Sequence, residues 1–331
     1  MATGSWGCLG SHHVRRLGLA GLGLGLGWNF CSSSGSGQRA EAVAASRLPT
    51  SRYPHAHCGM SIVDAVGNTP LLEIKSLSKA TGRRIMAKAE YMNPGGSIKD
   101  RAALWLIRDA EKSGALKPGG IICEGTGGNT GIGLAMIANA MGYKSCFAMS
   151  GGIAKEKIEM MRTFGAQVIL TPGVPFTSPE HYFHVAAKVA YEGNLQEPGS
   201  HFFTNQFENP ASSLAHFEST APEMWVQSGE KVDGFVCSSG TGGTIGGCAR
   251  FLKLTNPSCQ VYCIDPPGSG LHGLIEQGFE AAVTEGESPS SPDGRTAFAG
   301  DRVVRVCRNC WHCVTHSNIS RQNVCVHALE L

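Results

Sequence analysis

The formal net charge is only +2 over 331 residues, and no block of like charge is long enough to serve as an arm. That removes the electrostatic footprint of a nucleic-acid binder. A continuous apolar run of the roughly 20 residues that a membrane helix needs is also missing. The nearest stretch, "LGLAGLGLGLGWNF" at residues 17–30, is shorter and broken by glycines, each of which weakens a helix by roughly 1 kcal/mol. No solenoid-type repeat is present. Acidic residues are absent before Glu41, although Arg15, Arg16 and Arg39 precede it and Arg47 and Arg52 follow soon after.

Residues 1–57 are thus arginine-rich, carry a serine run at Ser32 to Ser34 and are poor in acid, the composition of a mitochondrial transit peptide. The expected location is mitochondrial. An outer-membrane anchor built on the glycine-rich apolar stretch ranks second, and a disordered leader on a cytoplasmic protein third. His12 and His13 lie in this leader and make no case for a metal.

Thirteen cysteines are present, and Cys123, Cys146, Cys237 and Cys263 sit in short apolar runs, where Cys acts as a small hydrophobe. The chain is not a small secreted scaffold that needs stapling, so the composition indicates a reducing compartment and no disulfide framework. From Ser61 onward, short apolar strands such as "GGIICEG", "KSCFAMS", "AQVILT", "GFVCSS" and "QVYCID" alternate with helical stretches of about a dozen residues. This alternation indicates βαβ units and a mostly parallel sheet buried on both faces. The expected architecture is α/β with two open twisted sheets, joined near residue 205.

Glycine, by contrast, is abundant at 44 residues and clustered. Two strand-to-helix turns, "EGTGGNTG" (124–131) and "GTGGTIGG" (240–247), lie where open α/β sheets bind ligands. Glycines there let backbone N–H groups converge on an anion, and the following helix adds its positive end. Thr241 and Thr244 can add hydroxyl donors. The "GTGGT" loop has no P-loop lysine and does not match the dinucleotide fingerprint.

A third glycine turn, "NPGGSIKDR" (93–101), places Lys99 in the first turn of a helix, where the dipole favours anions, with Ser97 as the expected N-cap. Lys99 is either an ordinary surface cation or an amine with a chemical task. A reactive amine, a phosphate cradle and a loop for a carboxylate together suit a phosphorylated aldehyde cofactor that handles an amino acid.

With "GNTPL" (67–71), "GNTGIGLA" (128–135), "NQFENPA" (205–211) and "IDPPGS" (264–269), these motifs make residues 61–270 resemble the cysteine synthase/cystathionine β-synthase family of pyridoxal-phosphate enzymes. The "SIKDR" and "GNTG" forms are similar to the cysteine synthase branch. The resemblance implies fold type II, with two tryptophan synthase β-like domains. A leader (1–57) would precede an N-terminal α/β domain (58–205) and a partial second domain (206–270), followed by a divergent, poorly ordered tail (271–331).

The resemblance also implies roles. Lys99 matches the lysine that anchors pyridoxal phosphate covalently and then acts as base. Gly240, Thr241, Gly242, Gly243 and Thr244 match the phosphate cradle, and Asn129 the asparagine that meets the cofactor's phenolic oxygen. Thr126, Gly127, Thr130 and Gln206 match the holders of the substrate carboxylate. The implied reaction is β-replacement on O-acetylserine, phosphoserine or serine by sulfide or another thiol, in a homodimer. The alternative is an inactive or unstable relative that keeps part of the cofactor site. From the residues alone, Asn129 also reads as a turn former, Gln206 as a solvated loop residue, Asp100 and Arg101 as a local charged pair, and His216 as a packed histidine.

Two departures stand out. Gly127 occupies the position where the family commonly has serine, which removes a donor worth roughly 1.5–3 kcal/mol to the substrate carboxylate. After Gly270 no segment supplies the family's serine-bearing stretch facing the pyridine nitrogen. Ser290-Ser291 precedes Pro292 in a polar, turn-like region. Cys307, Cys310, Cys313, His316 and Cys325 invite a zinc reading, but their spacing is not that of paired knuckles, and no metal is expected. The expected explanation is a non-homologous end.

Overall fold

The computed structural model describes residues 61–264 and 324–325. The expectations for the leader, for Asp265–Ser269 of "IDPPGS", and for the tail with its zinc reading lie outside the described residues. Among the described residues no helix is long and apolar enough to cross a membrane.

The chain enters through a 3-10 turn at Ile62–Ala65, closed by a capping box between Ser61 and Asp64. Strands β1 (Leu71–Glu73) and β2 (Met86–Lys88) pair antiparallel, with helix α1 (Lys75–Thr81) between them. Helix α1 has no apolar stripe to mark it in the sequence; it is short, buries no residue and stops at Gly82 in the left-handed region.

Helix α2 (Lys99–Ser113) follows the "NPGG" turn, and then the parallel alternation begins. Strands β3 (Ile121–Gly125), β4 (Lys144–Ser150), β5 (Gln167–Thr171) and β6 (His201–Phe203) form a fully parallel sheet in the order β5-β4-β3-β6. Helices α3 (Asn129–Ala140), α4 (Lys155–Thr163) and α5 (Tyr182–Gln196) make the crossovers. Every residue from Thr130 to Ala138 is buried, as expected of a helix that is apolar all round. α2 and α3 pack beside this sheet in a core with Leu106, Ile107, Leu134, Ile137, Phe147 and Met161 fully buried. Each such side chain contributes about 1.5–3 kcal/mol by leaving water.

Beyond residue 205 the chain forms α6 (Ala211–Ala215), a π-helical turn at His216–Thr220 and α7 (Ala221–Gln227). A second parallel sheet then contains β7 (Gly234–Ser238), β8 (Gln260–Ile264) and β9 (Val324–Cys325), with α8 (Gly243–Thr255) joining the first two. Leu71 of β1 packs against the core of this second part, beside Ala221, Cys248 and Leu252. The described cysteines Cys123, Cys146, Cys237, Cys248, Cys259 and Cys263 are free thiols.

One buried polar network ties these parts together. Arg101, on α2, has no exposed surface. Its Nε and Nη2 each donate to Glu90 at 2.8 Å, and its Nη1 and Nη2 each donate to Glu223 on α7 at 2.7 Å. Lys88 of β2 donates to Glu223 at 2.6 Å and to Gln227 at 3.0 Å, so two cations face two carboxylates. The "GNTPL" turn closes over them: Asn68 N–H donates to Glu223 at 2.9 Å and Thr69 Oγ1 to Glu90 at 2.6 Å. A side chain at Gly67, where φ is +88°, would lie 2.9 Å from Arg101 Nη1.

Burial opposes each charge. At Glu90 and Glu223 the Arg101 guanidinium wins, and both carboxyls are held below their ordinary range. Its hydrogen bonds to the same two carboxylates hold Arg101 protonated above its usual range.

The expected local pair between Asp100 and Arg101 does not form. Neighbours on a helix point about 100° apart. Arg101 faces Glu90 and Glu223, whereas Asp100 turns back and accepts the Gly95 N–H at 2.6 Å.

Removing one member of a buried ion pair costs about 3–5 kcal/mol, because the partner's charge is stranded. Arg101→Met should lower stability by about that much in urea unfolding, and the double variant Arg101→Met/Glu223→Gln should cost less than the sum of its parts. Glu90 and Glu223 have depressed folded pKa values, so their contribution is complete above their ordinary pKa of 4.5 and is lost as pH falls through the lower folded values. The gap between wild type and Arg101→Met should therefore close in acid.

Candidate functional site

Most residues of "NPGGSIKDR" have a structural reason. Asn93 Oδ1 accepts the Gly67 N–H at 2.8 Å, which joins this turn to "GNTPL". Gly96 has φ +78°, and a side chain on Gly95 would strike Asp100 Oδ1 at 2.5 Å. Ser97 Oγ accepts the Lys99 N–H at 3.2 Å, the bond an N-cap makes, although regular helix starts only after Ile98. The turn thereby delivers Lys99, half-buried, to the second part of the chain, where its Nζ donates to Thr241 Oγ1 at 2.9 Å.

Thr241 belongs to the Gly240–Thr244 loop between β7 and α8. Gly242 takes φ +78° to turn the chain into the helix, whose first turn has no acidic residue and whose N-cap makes no side-chain hydrogen bond. A Cβ on Gly243 would lie 2.5 Å from Ser212 Oγ, and one on Gly247 would lie 2.2 Å from the Ser213 carbonyl oxygen. These glycines let α8 sit directly against α6.

Thr244 Oγ1 lies 3.2 Å from His216 Nε2, and His216 Nδ1 lies 2.9 Å from Thr220 Oγ1. The π-helical turn aims both His216 and, toward Arg101, Ser219. Burial, with the Lys99 and Arg101 charges, holds the His216 pKa well below its ordinary value, so the ring is a neutral hydrogen-bonding spacer. The packed-histidine reading holds, with a contact to the loop added.

The residues assigned to the substrate carboxylate gather at the ends of β3 and β6. Thr130 Oγ1 donates to Gln206 Oε1 at 2.6 Å, and Thr126 Oγ1 accepts the Gly128 N–H at 3.3 Å. Gln206 is 6% exposed, which removes the alternative of a solvated loop residue; Asn205 before it takes φ +48°. Gly127 is half-buried beside them. Asn129 opens α3 with its side chain exposed and makes no side-chain hydrogen bond to this group.

Other residues here were not singled out from the sequence. Glu124, at the end of β3, is fully buried; it accepts from Gly125 N–H at 3.0 Å, from Gln206 N–H at 3.1 Å and from the Thr204 hydroxyl. A carboxylate closing an otherwise apolar strand was the signal available. Lys157 of α4 holds its Nζ 3.6 Å from the position a Gly128 Cβ would take. Among the described residues no group of three His, Cys, Asp or Glu side chains could hold a metal.

The donor set suits an anionic, aldehyde-bearing ligand. A helix N-terminus, two hydroxyls and glycines without side chains can hold a phosphate monoester, with a lysine amine one hydrogen bond away.

Comparison with known proteins agrees. Residues 62–306 match a family described as pyridoxal-phosphate dependent enzyme, a match that extends past Gly270. A cysteine synthase 1 of Emericella nidulans is 46% identical over 228 residues, covering 69% of this chain and 60% of that protein. A cystathionine beta-synthase of Oryctolagus cuniculus is 40% identical over 234 residues, covering 67% of this chain and 42% of that protein. The crystal structure of an O-ureido-L-serine synthase superposes with a TM-score of 0.61 at 32% identity, over 75% of this chain and 72% of its own. The chain thus spans 60% or less of the length of these curated relatives.

Because they press on backbone or a packed hydroxyl, Gly243→Ala and Gly247→Ala should each lose about 1–3 kcal/mol in chemical unfolding. Gly240→Ala, with nothing within 4 Å of its Cβ position, should stay within about 0.5 kcal/mol of wild type.

Proposed function

This chain belongs to the family of pyridoxal-phosphate dependent enzymes, and on that premise we propose that it carries out β-replacement on an O-activated serine, or serine itself, with sulfide or a thiol. The product would be cysteine or a related amino acid. The observation that carries the reading is the 2.9 Å hydrogen bond from Lys99 Nζ to Thr241, which joins a lysine amine to a phosphate-type loop 142 residues away. Similarity to proteins named cysteine synthase supports the substrate class.

In this reading Gly240–Thr244 and the N-terminus of α8 hold the cofactor's phosphate, with His216 orienting the Thr244 hydroxyl. Asn129 would face the ring's phenolic oxygen. When bound, pyridoxal phosphate supplies an aldehyde that captures amines and a ring that withdraws electrons from the α-carbon. Lys99 would be the amine that meets that aldehyde, and its Nζ would take the α-proton. Thr126, Gly127, Thr130 and Gln206 bind the amino acid's carboxylate and fix which bond faces Lys99. The mitochondrial location, the homodimer and the division into domains at 58–205 and 206–270 belong to this proposal. They are supported by the leader's composition and the family resemblance.

Purified protein mixed with pyridoxal phosphate should develop a visible absorption band that survives gel filtration. Lys99→Ala should abolish that band and lower sulfide consumption at least about a hundredfold. A wild-type protein without the band would sink the enzyme reading in favour of an inactive relative that keeps part of the site. Comparing O-acetylserine, phosphoserine and serine in the sulfide assay names the donor.

A further inference from the structure

We propose that Glu124 is a positioning residue of the amino-acid site: its ionised carboxylate fixes Gln206, and through it Thr130, in the geometry that receives the substrate's carboxylate. This rests on the reading of Thr126, Thr130 and Gln206 given above.

The geometry is a relay. Glu124 touches both segments that build the site, accepting the Gly125 N–H at 3.0 Å from the β3–α3 loop and the Gln206 N–H at 3.1 Å from the chain after β6. The Thr204 hydroxyl donates to the same oxygen as Gln206. Gln206 in turn accepts from Thr130 through Oε1. The Gln206 side-chain amide also hydrogen-bonds the Glu124 carboxyl, so this one residue holds both the backbone and the side chain of Gln206. All the partners of Glu124 in these bonds present a donor, so the ionised carboxylate is the form they complement. A proton on Oε2 would reverse the bond with Thr204 and weaken the acceptor for Gln206 N–H.

Burial works against that form and pushes the Glu124 pKa up to about 7, while the bonds from Thr204, Gln206 and Gly125 pull it down. The titratable groups on the elements packed around it are Cys123 on β3, Lys144 and Cys146 on β4, His201 on β6, Glu208 in the loop beyond, and, at and along α5, His181, Tyr182, His184, Lys188, Tyr191 and Glu192. Burial raises both thiols, Cys123 to about 12, so they stay neutral here.

A folded pKa raised above the ordinary 4.5 gives stability that is present below 4.5 and lost as pH rises through about 7. The same rise produces the carboxylate that orders Gln206. Affinity and stability therefore respond to pH in opposite senses.

The test compares wild type with Glu124→Gln, both loaded with pyridoxal phosphate. The probe is L-alanine, which has the α-carboxylate but no leaving group, and its Kd is measured by calorimetry from about pH 6 to about pH 8. Titration of alanine and of Lys99 is common to both proteins and cancels in the ratio of the Kd values. That ratio should be near one at the acid end and reach about tenfold or more, in favour of wild type, at the alkaline end. Without cofactor, the thermal midpoint of Glu124→Gln should gain on wild type as pH rises through about 7. Thr204→Val, which removes one donor, should move the midpoint of the affinity profile to higher pH.

A flat Kd ratio, or a Thr204→Val midpoint that does not move, overturns the proposal. So does a Glu124→Gln protein that is uniformly less stable, with no pH-dependent difference. A wild-type protein that takes up no pyridoxal phosphate is a different failure: it removes the site reading, and this role with it. A wild-type protein with the visible band and a flat ratio removes Glu124 alone.

Discussion

Everything that places the candidate site hangs on the buried fork of Arg101 between Glu90 and Glu223. The guanidinium is planar and presents its donors in fixed directions, so it can satisfy two carboxylates at once where a lysine could not. Glu90 comes from the turn after β2, Arg101 from α2 and Glu223 from α7, and Lys88 adds the second cation. A hydrophobic cluster of equal volume could hold these elements with similar energy; the fork adds hydrogen bonds in fixed directions. Arg101 is two residues from Lys99, so orienting Arg101 orients the amine.

The site then depends on close approach. Gly95, Gly243 and Gly247 stand where a single methyl would meet a carboxylate, a hydroxyl or a carbonyl. Polar side chains fill the remaining space in pairs: Lys99 with Thr241, His216 with Thr244, Thr130 with Gln206. Neutral hydroxyls, a neutral imidazole and backbone N–H groups dominate this surface. Such a surface favours an incoming anion without demanding that many buried charges be neutralised first.

Much of this was legible in the sequence because it rests on local rules. The alternation of short apolar strands with helices gave the parallel sheets, and the glycine clusters marked the turns at their carboxyl ends. Lys99 was legible because a cation in a helix's first turn conflicts with the dipole. What was not legible depends on distant partners. Asp100 and Arg101 read as a pair because they are adjacent, and only the fold shows that Glu223 claims the arginine. Gln206 left a solvated-loop alternative open because nothing in "NQFENPA" announces that it is buried. Helix α1 escaped because it buries nothing and so leaves no apolar stripe. Glu124 was passed over as part of a glycine loop, although a lone carboxylate at the end of a buried strand always needs an explanation.

The separation of the fork's members along the chain has a consequence for biogenesis. Arg101 and Glu223 are 122 residues apart, and Asn68 and Glu223 are 155 apart. At a synthesis rate of about 5–20 residues per second, the ribosome makes Arg101 roughly ten seconds before its second carboxylate exists. During that interval Glu90 alone can hold the arginine, and Lys88 waits with no carboxylate from α7. The nascent chain therefore carries an excess of positive charge at its future centre. Completion of α7 is the moment at which the first sheet, the "GNTPL" turn and the Lys99 helix can lock together.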